Sequence, residues 1–143
     1  MLMNSNEYLN TIESIKSEIK SAQYKATLSV NRELIMLYYH IGKIINSHKA
    51  WGNKFIDNLA ADIKVEFPGV KGYSVRNLKY MSKFAETYPD EQFVQQVAAQ
   101  IPWGQNMVLL DKVVDDTIRR WYTEKTLENG WSRNVLVHQI ESN

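Results

Sequence analysis

The sequence predicts an all-α fold: a compact multi-helix bundle with a long N-terminal helical stretch and a helix–turn–helix-like unit. Three observations carry that prediction. Apolar residues recur at steps of three or four through most of the chain, and no stretch alternates with period two over a strand's length. Proline and glycine fall between these periodic segments, at Pro68-Gly69, Pro89, Pro102 and Gly130. Four times an aromatic precedes a Gly or Ser, with an apolar residue five positions after the aromatic: Trp51-Gly52…Ile56, Tyr73-Ser74…Leu78, Trp103-Gly104…Val108 and Trp131-Ser132…Leu136. That spacing is the hydrophobic staple of a helix start, and it assigns three of the four tryptophans to structural clamps.

Tyr8 to Lys49 holds no proline, and no glycine before Gly42. Ile12, Ile15, Ile19, Ala22, Ala26, Val30, Leu34, Leu37, Ile41 and Ile44 make an amphipathic stripe, on one helix or on two broken near Ser21–Lys25. The stripe reads either as the core-facing side of that helix or as a dimerisation seam. A helix through Phe55, Ile56, Leu59, Ile63 and Phe67 follows. The next helix ends near Thr87, before Tyr88-Pro89-Asp90. A short one, from Glu91 to Gln100, carries Phe93, Val94 and Val97 on its apolar side. Gln105 to Val113 is the next, with the dense run Met107-Val108-Leu109-Leu110. Asp115 or Asp116 suits the cap of a helix from Thr117 to Asn129, with Gly130 at its C-terminal turn. Trp131-Ser132 opens the last helix, which runs to about Ser142.

The segment from Phe67 to Phe84 is the most informative part of the chain. Pro68 and Gly69 end one helix, because proline lacks an N–H and glycine accepts positive φ. Ser74 suits the N-cap of the next. On that helix Val75, Leu78, Ser82 and Ala85 share the side that can face a core, and Arg76, Asn77, Lys79, Tyr80 and Lys83 spread over the rest. From Pro68 to Ala85 there are four cations (Lys71, Arg76, Lys79 and Lys83) and no acid. A helix–turn–helix pattern with a basic second helix is a candidate nucleic-acid reader. The residues placed in contact with nucleic acid are Lys71, Arg76, Asn77, Lys79, Tyr80 and Lys83: cations for phosphates, the Asn77 amide for an adenine edge.

Composition limits the remaining choices. At 143 residues, with a hydrophobic fraction of 44% and a charged fraction of 23%, the chain is expected to form a single helical domain over 1–143. Net charge is +1, so anion affinity has to come from local clustering. The absence of cysteine excludes a disulfide framework, a thiol nucleophile and Cys-ligated metal. The first seven residues carry no basic segment followed by an apolar one, and no apolar run approaches the roughly 20 residues of a membrane span. A cytoplasmic protein without membrane contact is the expectation. His40, His48 and His138 have no metal-binding spacing, and no phosphate-loop, dinucleotide or nucleophile-elbow motif occurs. Glu18-Ile19-Lys20 and Asp62-Ile63-Lys64 match half of a nuclease signature but sit in helical pattern. No catalytic residue, metal site or cofactor is assigned.

Four segments in order are similar to the N-terminal helical domain of YhcG-type PD-(D/E)XK nucleases. They are Leu28 to Lys43 (LSVNRELIMLYYHIGK), Gly72 to Met81 (GYSVRNLKYM), Gln100 to Gly104 (QIPWG) and Gly130 to Leu136 (GWSRNVL). The similarity runs from about Ile12 to Ile140. It implies a domain of unknown function that usually precedes a nuclease domain and works beside nucleic acid, binding the target or positioning the nuclease. Any nuclease activity would then reside in a C-terminal half absent from this sequence, which ends at Asn143, about where that half would begin. Gln105 stands where the family often has histidine after its Trp-Gly or Trp-Ser pair. The expected partner is DNA, with a homodimer through the N-terminal stretch. The alternative is an interaction or dimerisation module that does not touch nucleic acid.

Overall fold

The computed structural model describes residues 5–142. The first four residues, read above for a leader, lie outside them. Among the described residues there are seven α-helices and no strand: α1 Ser5–Ser47, α2 Gly52–Glu66, α3 Val75–Thr87, α4 Glu91–Gln96, α5 Trp103–Lys112, α6 Asp116–Asn129 and α7 Arg133–Glu141. Short 3₁₀ turns at Lys49–Trp51 and Ala98–Gln100 complete the path. The all-α expectation holds, and most boundaries fall where the caps put them. Ser74, Asp90, Asp115 and Ser132 each accept a backbone N–H at a helix start. Gly130 takes the left-handed conformation at the end of α6, at φ 63°. The fourth helix is shorter than expected: it stops at Gln96 and the chain continues to Gln100 as a 3₁₀ turn.

The N-terminal stretch is one continuous helix of 43 residues, with no break near Ser21–Lys25. Its apolar stripe faces away from the core except at Ile41, which packs against it. Ile15, Ile19, Val30, Leu37 and Ile44 are all exposed, and Ala22 and Ala26 with them. The face that enters the core carries Ile35, Tyr38, Tyr39, Gly42 and Ile45 instead. Over residues 5–26 the described side chains are exposed apart from half-buried Ile12, so the first half of α1 is an arm projecting from the body.

The body is built on the contact between α1 and α3. Gly42 makes it close: a Cβ there would lie 2.0 Å from the carbonyl oxygen of Met81. Polar clamps fix the register of α1. Asn46 donates to the Ser82 carbonyl at 3.0 Å, and Asn31 donates to the carbonyls of Ala99 and Ile101. One apolar cluster joins Ile35, Tyr39, Phe84, Tyr88, Phe93 and Leu110, a second joins Tyr38, Ile45, Ile56, Leu78 and Met81, and Trp103 packs against both. A third cluster, with Ile101, Leu109, Tyr122 and Leu136, holds α5, α6 and α7 together.

Two of the four expected staples form as predicted. Tyr73 packs in the cluster that contains Leu78, and Trp131 in the one that contains Leu136, each aromatic directly preceding a serine N-cap. The two that rely on glycine do not. Helix α5 begins at Trp103 itself, after Pro102, and Trp51 is 58% exposed, stacked on His48 and edge-on to Phe55. Glycine supplies no side-chain acceptor, so nothing at Gly52 or Gly104 fixes the helix start as a serine hydroxyl does.

Candidate nucleic-acid interface

The segment that suggested a reader folds around the start of α3. After α2, residues 67–74 form an eight-residue connection, longer than the three- or four-residue turn of a helix–turn–helix. Gly72, at φ 104°, sits with its would-be Cβ 2.6 Å from the Tyr38 hydroxyl, so the loop is pressed onto α1 where only glycine fits. Helix α3 buries Leu78, Met81, Phe84 and Ala85, and half-buries Val75 and Ser82. Its opposite face carries Arg76, Lys79 and Lys83, all exposed.

The fold brings four of the six sequence-predicted residues together. Arg76, Lys79, Tyr80 and Lys83 line one shallow cleft of about 640 Å³ with Val75 and Asp111. The Arg76 guanidinium lies 5.3 Å from the centre of the Tyr80 ring, within cation–π range. Lys71 is placed elsewhere, in the α2–α3 connection beside a second groove lined by Lys64, Phe67, Tyr73 and Val75. Asn77 turns inward. Its Nδ2 donates to the Gly72 carbonyl at 2.6 Å, and its Oδ1 accepts the indole N–H of Trp103 at 2.8 Å. Both ends of the amide are therefore engaged inside the protein.

Sequence reasoning missed Asp111. In the chain it stands four residues before Asp115, one of the two residues expected to cap the next helix. Asp115 does cap α6, accepting the Ile118 N–H at 2.9 Å. Asp111 instead sits near the end of α5 and enters the basic face of α3. Its carboxylate accepts the Tyr80 hydroxyl at 2.6 Å and lies 3.7 Å from the Lys83 ammonium. That hydrogen bond, with burial and the Asp111 charge behind it, raises the Tyr80 pKa, and Arg76 offsets part of the rise. Tyr80 is held as a protonated donor. The absence of acids from residues 68–85 is true of the segment but not of the surface, because Asp111 arrives from another helix. At its far end the band stops at Glu86, which pairs with Lys49 at 3.0 Å. Lys79 and Lys71 form no ion pair among the described residues.

Both acid-x-lysine triplets lie within helices, Glu18 to Lys20 in α1 and Asp62 to Lys64 in α2. Among the described residues no group of three or more His, Asp or Glu is placed to hold a metal, and no helix is long and apolar enough to cross a membrane. Gln105 donates to the Trp131 carbonyl at 3.1 Å, tying the start of α5 to the start of α7. The arrangement is that of a helical module with a basic, aromatic surface cleft crossed by one carboxylate. The chain belongs to the DUF1016 N-terminal domain family, whose model matches residues 14–143 and which is the N-terminal domain of YhcG-type proteins. No curated protein and no solved structure matches it.

Proposed function

We propose that this domain is a DNA-binding or target-positioning module that serves a PD-(D/E)XK-type nuclease and is non-catalytic by itself. The single observation that carries this reading is the exposed band of Arg76, Lys79 and Lys83 beside Tyr80, on a helix whose other side is locked into the core. Cations held on a rigid element meet backbone phosphates without further ordering, and a partly exposed aromatic offers a face to a base. In this reading Lys79, Arg76 and Lys71 carry the phosphate contacts, Lys83 contributes less because Asp111 shares its charge, and Asn77 holds the α3 start instead of reading a base.

Fluorescence anisotropy with labelled duplexes tests it. With about three phosphates engaged, log K should fall with log salt at a slope near −3. Lys79→Ala should weaken binding and flatten that slope. Asp111→Asn should do the opposite, tightening binding several-fold by removing the one carboxylate in the cleft. Binding that neither variant alters would refute the assignment of this face. A second reading, an interaction module without nucleic-acid contact, is favoured by the outward stripe of α1.

A further inference from the structure

Helix α1 carries two apolar faces, and only one is used. The core face is satisfied by α3 and its neighbours, whereas the stripe from Tyr8 to Ile44 is exposed apart from half-buried Ile12 and Ile41. Most helical stability in proteins comes from packing an amphipathic face, and the arm over residues 5–26 has almost none of that packing within its own chain. An apolar stripe rimmed by polar residues marks an interaction surface.

We infer that this stripe is a homodimer interface in which the α1 helices of two copies pack antiparallel about a twofold axis through Ala26. The observation behind it is the exposed stripe itself, which has its smallest side chains, Ala22 and Ala26, near mid-length and can be laid on its own reverse with apolar residues in register. Apolar positions fall 4, 7, 11, 14 and 18 residues before Ala26 and 4, 8, 11, 15 and 18 residues after it. Antiparallel pairing therefore sets Ile15 against Leu37 of the second copy, Ile19 against Leu34 and Ala22 against Val30, each within one residue of register. Side-chain size is smallest near mid-length. Alanines occupy the centre, where two crossing helices come closest, and larger side chains lie outward, where the axes diverge. A parallel pair would match the same size profile but would align the two helix dipoles and crowd both bodies at one end, since each body packs on the second half of its α1. The ten steps of the stripe cover 36 residues, the 3.6-residue repeat of a straight helix, so it stays on one side of α1.

The dimensions fit. Two stripes about 54 Å long and about 10 Å wide bury at most on the order of 1,000 Å² between them, at the lower edge of specific interfaces. Each body sits mainly on the core face of α1 and meets the stripe at Ile41. Nucleic acid does not suit this surface. Up to Lys25 the arm holds three acids (Glu7, Glu13 and Glu18) and three bases (Lys16, Lys20 and Lys25), with no net charge to attract phosphates.

Sedimentation of the 143-residue chain over a concentration series should show a monomer–dimer equilibrium. Ile19→Glu alone and Leu34→Lys alone should each weaken association at least tenfold without changing the melting of the body, since both side chains are exposed. Combined in one chain they should restore the dimer, because each introduced carboxylate then faces an introduced ammonium of the other copy. In a parallel pair like would face like and no restoration would follow. The chain has no native cysteine, so oxidising a mixture of Ile15→Cys and Leu37→Cys chains should give the mixed disulfide-linked dimer. A parent that stays monomeric at every concentration, or Ile15→Cys chains that link preferentially to one another, would overturn the inference. The DNA-binding reading would stand or fall separately.

Discussion

Asn77 shows how a residue suited to one role by its chemistry is given another by its surroundings. Beside Arg76 in the sequence, its amide looks available to a base. In the fold that amide bridges the Gly72 carbonyl and the Trp103 indole, 26 residues further along the chain. No local pattern announces that partner. Asn77→Ala should lower stability by about 1–3 kcal/mol, because it leaves a half-buried N–H and a carbonyl unpaired, a shift a urea titration would detect. If the variant melts like the parent and loses only sequence preference, Asn77 is a base reader after all. Gly42 was hidden for a similar reason: glycine within a helix gives no sign of what approaches it. With the Met81 carbonyl 2.0 Å from the missing Cβ, Gly42→Ala must push α1 and α3 apart. The expected loss is about 1–3 kcal/mol or more, read from the same titration. Arg119 is a helix charge that the fold buries. It is 6% exposed, donates to the carbonyls of Val113 and Val114, pairs with Asp116 and lies over the Tyr88 ring. It closes the end of α5 with a side chain from α6.

Helix starts were legible where a side chain makes the cap, and less so where glycine was asked to. Ser74 and Ser132 each supply an acceptor for the N–H three residues on, and the aromatics before them pack as expected. Ser132→Ala should cost about 1 kcal/mol in thermal or urea unfolding. The tryptophans divide by the same logic. Trp103→Ala should cost about 3–5 kcal/mol, since the ring meets Tyr38 and Phe84 edge-on and its N–H is paired. Trp51→Ala should cost about 0.5 kcal/mol or less, as most of that ring is exposed. Equal losses would restore Trp51 as a clamp. For α1 the periodicity gave the right element, and of the two readings of its stripe the core-facing one fails for most of the stripe's length. Ile35, Tyr38, Tyr39, Gly42 and Ile45 also recur at helical steps, interleaved with the stripe. Spacing identifies an apolar face but does not say which of two such faces meets the core.

At the scale of the whole molecule, the all-α class followed from the absence of period-two alternation and from breakers at helical intervals. What the sequence could not show was how distant helices converge on one surface. Asp111 and Arg76 are 35 positions apart in the chain and share a cleft. The same convergence gathers tyrosines into the body, and this has a consequence for stability against pH. Burial raises the pKa of Tyr38, Tyr39 and above all the fully enclosed Tyr88, where Thr123 and Arg119 offset part of the effect. At Tyr80 the hydrogen bond to Asp111 acts in the same direction. The neutral phenols are thus favoured in the folded state, while in the unfolded chain they ionise near pH 10, about the ordinary tyrosine value. A raised folded pKa means that the unfolded chain loses its protons first as pH rises. The stabilisation from these four groups is therefore full below pH about 10 and is lost as pH climbs from there through the folded values. Urea midpoints should stay level with respect to these groups at neutral pH and fall above it in step with the appearance of tyrosinate absorbance. Tyr88→Phe should flatten the fall more than Tyr80→Phe, because Tyr88 is enclosed and Tyr80 lies at the surface cleft. Alkaline curves that coincide for the parent and Tyr88→Phe would show that Tyr88 ionisation does not drive the loss.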